Sequence, residues 1–132
     1  MTARILIVED EMLVAMNLEG VLEDLGYEPV GIVPDLPAAV PFYDQKVDLA
    51  LVDLNLRDGL TGPQIGARLS EKGVAVVFVT ANPGLLGDGI AGAIGVITKP
   101  ADETAVKDAV EYALGCRGGA QLAPPACLRL FG

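Results

Sequence analysis

The sequence predicts an α/β protein in which five parallel strands alternate with helices. Three observations favour this class. Short, wholly apolar runs recur along the 132 residues, and such runs are typical of strands buried on both faces of a parallel sheet. Segments with the helical spacing of apolar residues separate these runs. Glycine or proline stands at most of the junctions, where the chain has to turn.

The N-terminal half contains three predicted strands and two predicted helices. The strands lie at residues 4–8, 28–33 and 47–53. Between the first two, residues 11–25 carry apolar side chains with helical periodicity, and Gly26 is suited to end that helix. A proline-punctuated stretch from Pro34 leads into a short second helix that ends near Lys46.

The C-terminal half continues the alternation. Its predicted helices and strands lie at residues 63–71, 74–80, 95–98 and 102–114. Pro63 suits the first turn of a helix, and Asp102 suits the position that caps one. Residues 118–132 contain the pairs Gly118-Gly119 and Pro124-Pro125. We therefore expect one domain at residues 1–117, followed by a C-terminal tail at residues 118–132.

The order of the strands determines where a ligand would bind. Five strand–helix units favour the flavodoxin-like (βα)5 three-layer sandwich, with the parallel sheet in the order 2-1-3-4-5. Ligands of such sheets bind at the carboxyl ends of the strands, where the strand order reverses between the first and the third strand. Glu9, Asp10 and Asp53 follow these two strands, so we expect them to meet there.

Composition narrows the class of partner. The chain is 52% hydrophobic and has a net charge of −9. This charge argues against nucleic acids and anionic membranes, because phosphate contacts need clustered Lys and Arg. No run approaches the ~20 apolar residues of a membrane span, and no secretory leader follows Met1. We expect a cytoplasmic protein whose partner is another protein.

The three acids predict a metal site. Carboxylates crowded at one sheet edge repel each other, and a divalent cation relieves this repulsion. Mg²⁺ binds one or two carboxylates together with waters and phosphate oxygens. Glu9, Asp10 and Asp53 are the expected ligands, and Asn55 can add its backbone carbonyl. The alternative for Glu9 and Asp10 is an acidic first turn of a helix, which the helix dipole favours.

Three side chains predict chemistry on a phosphoryl group. Asp53 ends the central strand, where its carboxylate can act as a nucleophile toward phosphorus. Thr80 ends the fourth strand and can donate its hydroxyl to a phosphoryl oxygen. Lys99 follows the fifth strand and can neutralise charge on the transferred group. Taken singly, such a lysine is more often a solvated surface residue than a catalytic one, and the position of Lys99 at a strand end opposite three acids shifts that balance.

These fragments, in this order, resemble the receiver domain of response regulators, the phospho-accepting module of two-component signalling. The resemblance covers about residues 3–115 and rests on Glu9-Asp10, Asp53, Thr80-Ala81 and Lys99-Pro100. It implies that a sensor histidine kinase or a histidine phosphotransfer protein phosphorylates Asp53 in a Mg²⁺-dependent step. It also implies a cis peptide between Lys99 and Pro100, and no enzymatic activity beyond the chain's own phosphorylation and dephosphorylation.

The chain departs from the receiver pattern in two places that bear on signalling. Many receivers place a rotating Tyr or Phe three residues before the lysine, where this chain has Val96. Residues 83–93 contain four glycines, which make a helix there marginal because each costs about 1 kcal/mol relative to Ala. Phe78-Val79-Thr80 partly resembles a receiver subgroup with the sequence Phe-Ala-Thr-Gly, but Ala81 replaces its glycine.

Alternative functions stay open at this point. The receiver could signal to a downstream protein, or it could act only as a phosphate sink for its kinase. A haloacid-dehalogenase-like phosphatase is disfavoured, because Asn55 stands where that mechanism needs a general acid. A flavodoxin is disfavoured because the loop after the first strand is acidic, whereas a flavin phosphate needs hydrogen-bond donors. The oligomeric state is likewise open.

Two surface features are expected outside the site. Met12 and Met16 lie one turn apart, opposite the apolar stripe of their helix, so we expect an exposed docking patch. The alternative is that Met12 packs under a neighbouring loop. The tail contains four large apolar side chains at Leu122, Leu128, Leu130 and Phe131. We expect it to pack against the domain or to act as a short docking peptide, and disorder without function is the alternative.

Overall fold

A computed structural model describes residues 2–131 and confirms the α/β prediction. Its strands are β1 (Arg4–Val8), β2 (Glu28–Val33), β3 (Leu49–Val52), β4 (Ala75–Thr80), β5 (Gly95–Thr98) and β6 (Leu128–Leu130). Its helices are α1 (Met12–Asp24), α2 (Leu36–Ala39), α3 (Gly62–Glu71) and α4 (Glu103–Arg117), with short 3-10 helices at Val40–Asp44 and Pro83–Leu86. Within residues 2–131, no helix combines the length and hydropathy needed to cross a bilayer.

The strands form one sheet in the order β2-β1-β3-β4-β5-β6, which confirms the predicted order of the first five strands. These five are parallel, whereas β6 runs antiparallel to β5. Every residue of β3 and β4 is buried. Burial on both faces explains why these strands are apolar up to Thr80 at the end of β4, instead of alternating with polar residues.

The sheet separates two apolar layers, because successive side chains of a strand point to opposite faces. One layer packs against α1 and α4 and includes Ile5, Leu49, Val77 and Ile97. The other packs against α2 and α3 and includes Leu6, Val52, Phe78 and Val96. The molecule is thus the predicted three-layer sandwich, with the sheet as its middle layer.

Side-chain caps and glycine place the helix ends. The Asp102 carboxylate accepts a hydrogen bond from the Ala105 N–H at 2.8 Å, as its predicted capping role requires. The helix it caps continues to Arg117, three residues beyond the predicted end. Gly26 follows α1 with φ of +91°, a conformation that favours glycine after a helix.

The structure differs from the prediction at β6. The sequence predicts five strands and a tail, but Leu128–Leu130 forms a sixth strand beside β5. Three residues are too few to show an alternating pattern, so this strand is determined by its pairing and not by local sequence. The tail therefore packs against the domain, while the domain boundary after residue 117 stays a prediction.

The connection between β4 and β5 contains a single 3-10 turn, Pro83–Leu86. Gly87, Gly89 and Gly92 follow it with φ of +53°, +117° and +85°. Such positive φ angles lie outside the right-handed helical region. The absence of a longer helix at residues 83–93 agrees with the prediction that four glycines make a helix there marginal.

Candidate functional site

The carboxyl edge of the sheet collects the predicted site residues. Glu9 follows β1, Asp53 follows β3, Thr80 ends β4, and Lys99 follows β5. Backbone hydrogen bonds extend the ladder to this edge. The Asp53 N–H donates to the Val8 carbonyl at 2.9 Å, and the Lys99 N–H donates to the Thr80 carbonyl at 2.8 Å. The side chains therefore start from fixed backbone positions.

Lys99 bridges two acids of the site. Its Nζ lies 2.9 Å from Asp53 Oδ2 and 2.5 Å from Glu9 Oε1. The Lys99 side chain is only 16% exposed, so it is not a solvated surface lysine. The peptide bond that joins it to Pro100 is cis, in agreement with the expectation from the resemblance.

Burial and charge shift the pKa values of this pair. Burial raises the pKa of Glu9, and the negative charge of Asp53 acts in the same direction, while the hydrogen bond from Lys99 partly opposes them. Burial alone would lower the pKa of Lys99. The hydrogen bonds that its ammonium donates to Glu9 and Asp53, together with the negative charges of these two acids, outweigh burial and raise that pKa. Lys99 thus keeps its positive charge at neutral pH.

The acids form a cluster of the kind that binds a hard cation. One carboxylate oxygen from each of Glu9, Asp10 and Asp53 lies within 4.8 Å of the others. Glu9 and Asp53 are buried, whereas Asp10 is exposed to solvent. Oxygen donors with one open side suit Mg²⁺, which retains waters and binds phosphate oxygens. Asn55 lies exposed two residues beyond Asp53, and its carbonyl as a ligand stays a prediction.

Hydrogen bonds to both oxygens orient the Asp53 carboxylate. Oδ1 accepts the N–H of Leu54 at 2.7 Å, and Oδ2 accepts from Lys99. The first turn of α3 packs directly against this backbone, because a Cβ on Gly62 would overlap the Asp53 carbonyl oxygen and the Leu54 Cα. Gly62 is therefore a site residue that the sequence analysis missed. It was not recognised because a glycine directly before Pro63 is typical of an ordinary helix start.

Thr80 connects the site to the segment that follows β4. Its side chain is buried, with the residue 1% exposed. Its Oγ1 accepts a hydrogen bond from the Asn82 N–H at 3.0 Å. The hydroxyl oxygen therefore helps to hold the turn that begins at Asn82.

A second set of contacts, also missed from the sequence, fixes the loop that carries Asn55. Arg57 Nη2 and Nε donate to Asp35 Oδ2 at 2.6 and 3.1 Å. These hydrogen bonds lower the pKa of Asp35, and the N–H that Asp35 accepts from Ala38 adds to the effect. Asp58 Oδ2 accepts the Leu36 N–H at 3.1 Å. The loops after β2 and β3 are thus joined.

An exposed apolar surface lies beside Lys99. Met12 and Met16 are each 55% exposed, which confirms the predicted exposure of both, while their role in docking stays a prediction. Leu13 between them is 85% exposed and was not predicted to contribute. Leu13 also lines a groove of about 520 Å³ that includes Val14, Asn17, Lys99 and Pro100. Such a surface next to charged site residues is typical of a docking face.

Comparison with known proteins assigns the family. The model of the response regulator receiver domain matches residues 5–111. The phyllosphere-induced regulator PhyR of Methylorubrum extorquens is 37% identical over 86 residues, which are 63% of this chain and 32% of that protein. The chain therefore spans about a third of the length of this curated relative.

Solved structures agree with this assignment. The anti-anti-sigma factor PhyR of Bartonella quintana matches with a TM-score of 0.74 at 30% identity, over 90% of this chain and 50% of that one. The PhyR response regulator REC domain of Erythrobacter litoralis gives 0.74 at 29% identity, over 95% and 96%. A CheY-like receiver protein of Methanospirillum hungatei gives 0.79 at 24% identity, over 90% and 98%, which shows the fold alone. Residues 5–111 match the family model along most of the chain, and the chain belongs to the response regulator receiver domain family.

Proposed function

We propose that this receiver is a phospho-accepting switch in which Asp53 takes a phosphoryl group from a histidine of a sensor kinase or a phosphotransfer protein. The observation that carries the proposal is the position of Lys99, whose ammonium contacts Asp53 and Glu9 at the edge where three carboxylates meet. A positive charge held there matches a reaction that brings a phosphoryl group to a carboxylate.

In the transfer step, an Asp53 carboxylate oxygen attacks the phosphorus atom of the phosphohistidine. The new oxygen–phosphorus bond forms as the nitrogen–phosphorus bond breaks, and the histidine nitrogen keeps the electron pair. Lys99 neutralises negative charge on the phosphoryl oxygens, and the Thr80 hydroxyl donates to one of them. The Leu54 N–H at 2.7 Å from Oδ1 orients the attacking carboxylate before the donor arrives.

Glu9, Asp10 and Asp53 would hold Mg²⁺, and the Asn55 carbonyl would add a fourth protein ligand. The bound ion would supply positive charge to the phosphoryl oxygens. The oxygen-only donor set and its spacing within 4.8 Å support this assignment. Glu9 also contacts the start of α1, because its Oε2 accepts a hydrogen bond from the Glu11 N–H at 3.2 Å.

The exposed surface of Met12, Leu13 and Met16 is the proposed docking face for the phosphodonor protein. It lies beside Lys99, so a partner bound there can present its histidine to Asp53. The anti-anti-sigma activity in the name of the Bartonella protein belongs to a chain about twice the matched length. For this chain we propose only that phosphorylation controls a contact with a downstream protein.

Mass spectrometry after incubation with acetyl phosphate and Mg²⁺ tests this proposal. We expect the intact chain to gain one phosphoryl group and to lose the gain when the metal is chelated. Asp53→Asn should not be labelled. Asp24→Asn is the matched control, because this exposed acid lies at the end of α1, and it should be labelled as the unsubstituted chain is. Labelling that persists in Asp53→Asn contradicts the assignment.

A further inference from the structure

The sixth strand covers the outer edge of β5. Leu128 pairs with Ile97, Arg129 with Val96, and Leu130 with Gly95. The pairing continues beyond the strand, since the Phe131 N–H donates to the Ile94 carbonyl at 3.1 Å. An uncovered edge would leave a row of backbone hydrogen-bonding groups unpaired. Residues 128–131, which we name the C-terminal latch, supply these partners.

The latch also holds the turn between β4 and β5. Arg129 Nη1 donates to the Gly87 carbonyl and Nη2 to the Pro83 carbonyl, both at 3.1 Å. A guanidinium is suited to this task because its donors form a rigid fork. One side chain of the latch therefore holds both ends of the Pro83–Leu86 turn.

The aromatic ring of the latch adds a second contact to the same segment. Phe131 packs 6.1 Å from the ring centre of Phe78, and its ring lies 5.7 Å from the Arg129 Cζ. A Cβ on Gly89 would overlap the Phe131 ring. The ring thus lies against backbone that only glycine leaves accessible.

The turn held by the latch is also held by Thr80. The Asn82 N–H donates to Thr80 Oγ1, and the turn that starts at Pro83 follows directly. A continuous series of contacts thus runs from Thr80 through Asn82 and Pro83 to Arg129. Val96, the register partner of Arg129, is buried and aliphatic, so no rotating ring stands at this position.

We propose that the C-terminal latch reports the phosphorylation state of Asp53: it is seated on β5 in the unmodified chain and released on phosphorylation. The proposal rests on the proposed function of Asp53. A Thr80 hydroxyl that turns to donate to a phosphoryl oxygen leaves the position in which it accepts the Asn82 N–H. The turn then shifts, and its carbonyls move away from the Arg129 guanidinium.

Release exposes Leu128, which is buried in the layer between the sheet and the helices α1 and α4, but it breaks no pairing among β1 to β5, because β6 is an edge strand. The latch pairs with β5 over three residues and adds the one hydrogen bond from Phe131 to Ile94. Residues 118–127 connect it to α4 through Gly118-Gly119 and Pro124-Pro125. Once released, the β5 edge offers an extended segment of a partner protein the same antiparallel pairing.

Hydrogen exchange of the full chain, measured by mass spectrometry, tests the latch without phosphorylation. Thr80→Val keeps the shape of the side chain and removes the acceptor of the Asn82 N–H, whereas Thr80→Ser keeps the hydroxyl. We expect amides of residues 128–131 to exchange roughly tenfold faster in Thr80→Val than in Thr80→Ser. Equal exchange in the two variants overturns the coupling.

The same measurement on acetyl phosphate-treated chain tests the phosphorylation step. The intact mass of each sample reports whether the chain carries a phosphoryl group. A chain that takes up no phosphoryl group therefore counts against the proposed function and not against the latch. In phosphorylated chain, residues 128–131 should exchange faster. Arg129→Gln should make these residues exchange fast in both states. Leu130 is exposed and lies on the face of β6 opposite to Arg129, so Leu130→Ala should preserve the difference between the two states. Phosphorylated chain with unchanged exchange at residues 128–131 overturns the proposal.

Discussion

Lys99 Nζ and Asp53 Oδ2 lie 2.9 Å apart although 46 positions separate the two residues in the sequence. The parallel sheet brings them together, because β3 and β5 both end at the same edge on either side of β4. This contact supports the view that the Lys99 ammonium is in place before any phosphoryl group arrives.

Replacement of Lys99 should slow phosphorylation. Lys99→Met removes the ammonium that would neutralise the transferred group, and we expect the rate with acetyl phosphate to fall by roughly 10²-fold. Mass spectrometry of samples quenched at successive times measures this rate. Lys107→Met is the matched control, since Lys107 is exposed on α4 and should leave the rate unchanged. A normal rate in Lys99→Met contradicts the role assigned to the lysine.

Substitution of Gly62 should disturb both the fold and the site. Gly62→Ala places a methyl group against the Asp53–Leu54 backbone, and overpacking of this kind costs about 1–3 kcal/mol. We expect a lower denaturant midpoint and slower phosphorylation. Gly20→Ala lies in α1 with no atom near the added methyl group, so it should stabilise the chain by about 0.5–1 kcal/mol. If Gly62→Ala behaves like Gly20→Ala, the packing argument fails.

The sequence predicts the site residues better than it predicts the strand and the loop contacts that surround the site. Glu9, Asp53, Thr80 and Lys99 were found because each directly follows or ends an apolar run, and parallel strands align such ends. The β6 strand was not predicted because three residues carry no strand pattern of their own, and only the pairing with β5 determines it. The Asp35–Arg57 contact was not predicted because both residues lie in loops and no local pattern indicates that they meet.

The Asp35–Arg57 contact should make stability depend on pH. The pKa of Asp35 is lowered in the folded chain. Its carboxylate therefore contributes fully to stability at pH values above the ordinary Asp pKa of about 3.9. This contribution is lost as the pH falls through the lowered pKa. Asp35→Asn should therefore lower the unfolding midpoint at neutral pH, and the difference from the unsubstituted chain should shrink in acid.

A surface ion pair provides the control for this pH series. Glu71 pairs with Arg68 across one turn of α3 with both side chains mostly exposed, and such pairs contribute little. Glu71→Gln should keep the unfolding midpoint near that of the unsubstituted chain at every pH. An Asp35→Asn deficit that stays constant in acid would show that charge is not the cause.

The lifetime of the phosphorylated state should depend on Asn55 and Asn82. Both residues are exposed near the site, two positions beyond Asp53 and Thr80. By resemblance to receivers, their side chains flank the line along which water attacks the phosphoryl group. Replacing both with Ala should change the dephosphorylation rate, measured by loss of the phosphorylated mass after removal of donor. An unaltered rate would leave them as turn residues only.

The central claim is that phosphorylation produces an acyl phosphate on Asp53, and site mapping with hydroxylamine tests it most directly. Hydroxylamine cleaves acyl phosphates and leaves phosphate esters, such as one on Thr80, intact. After labelling in the presence of Mg²⁺, the account predicts one phosphoryl group on the peptide that contains Asp53, fully released by hydroxylamine. A phosphoryl group on any other peptide, or one that resists hydroxylamine, would contradict the account.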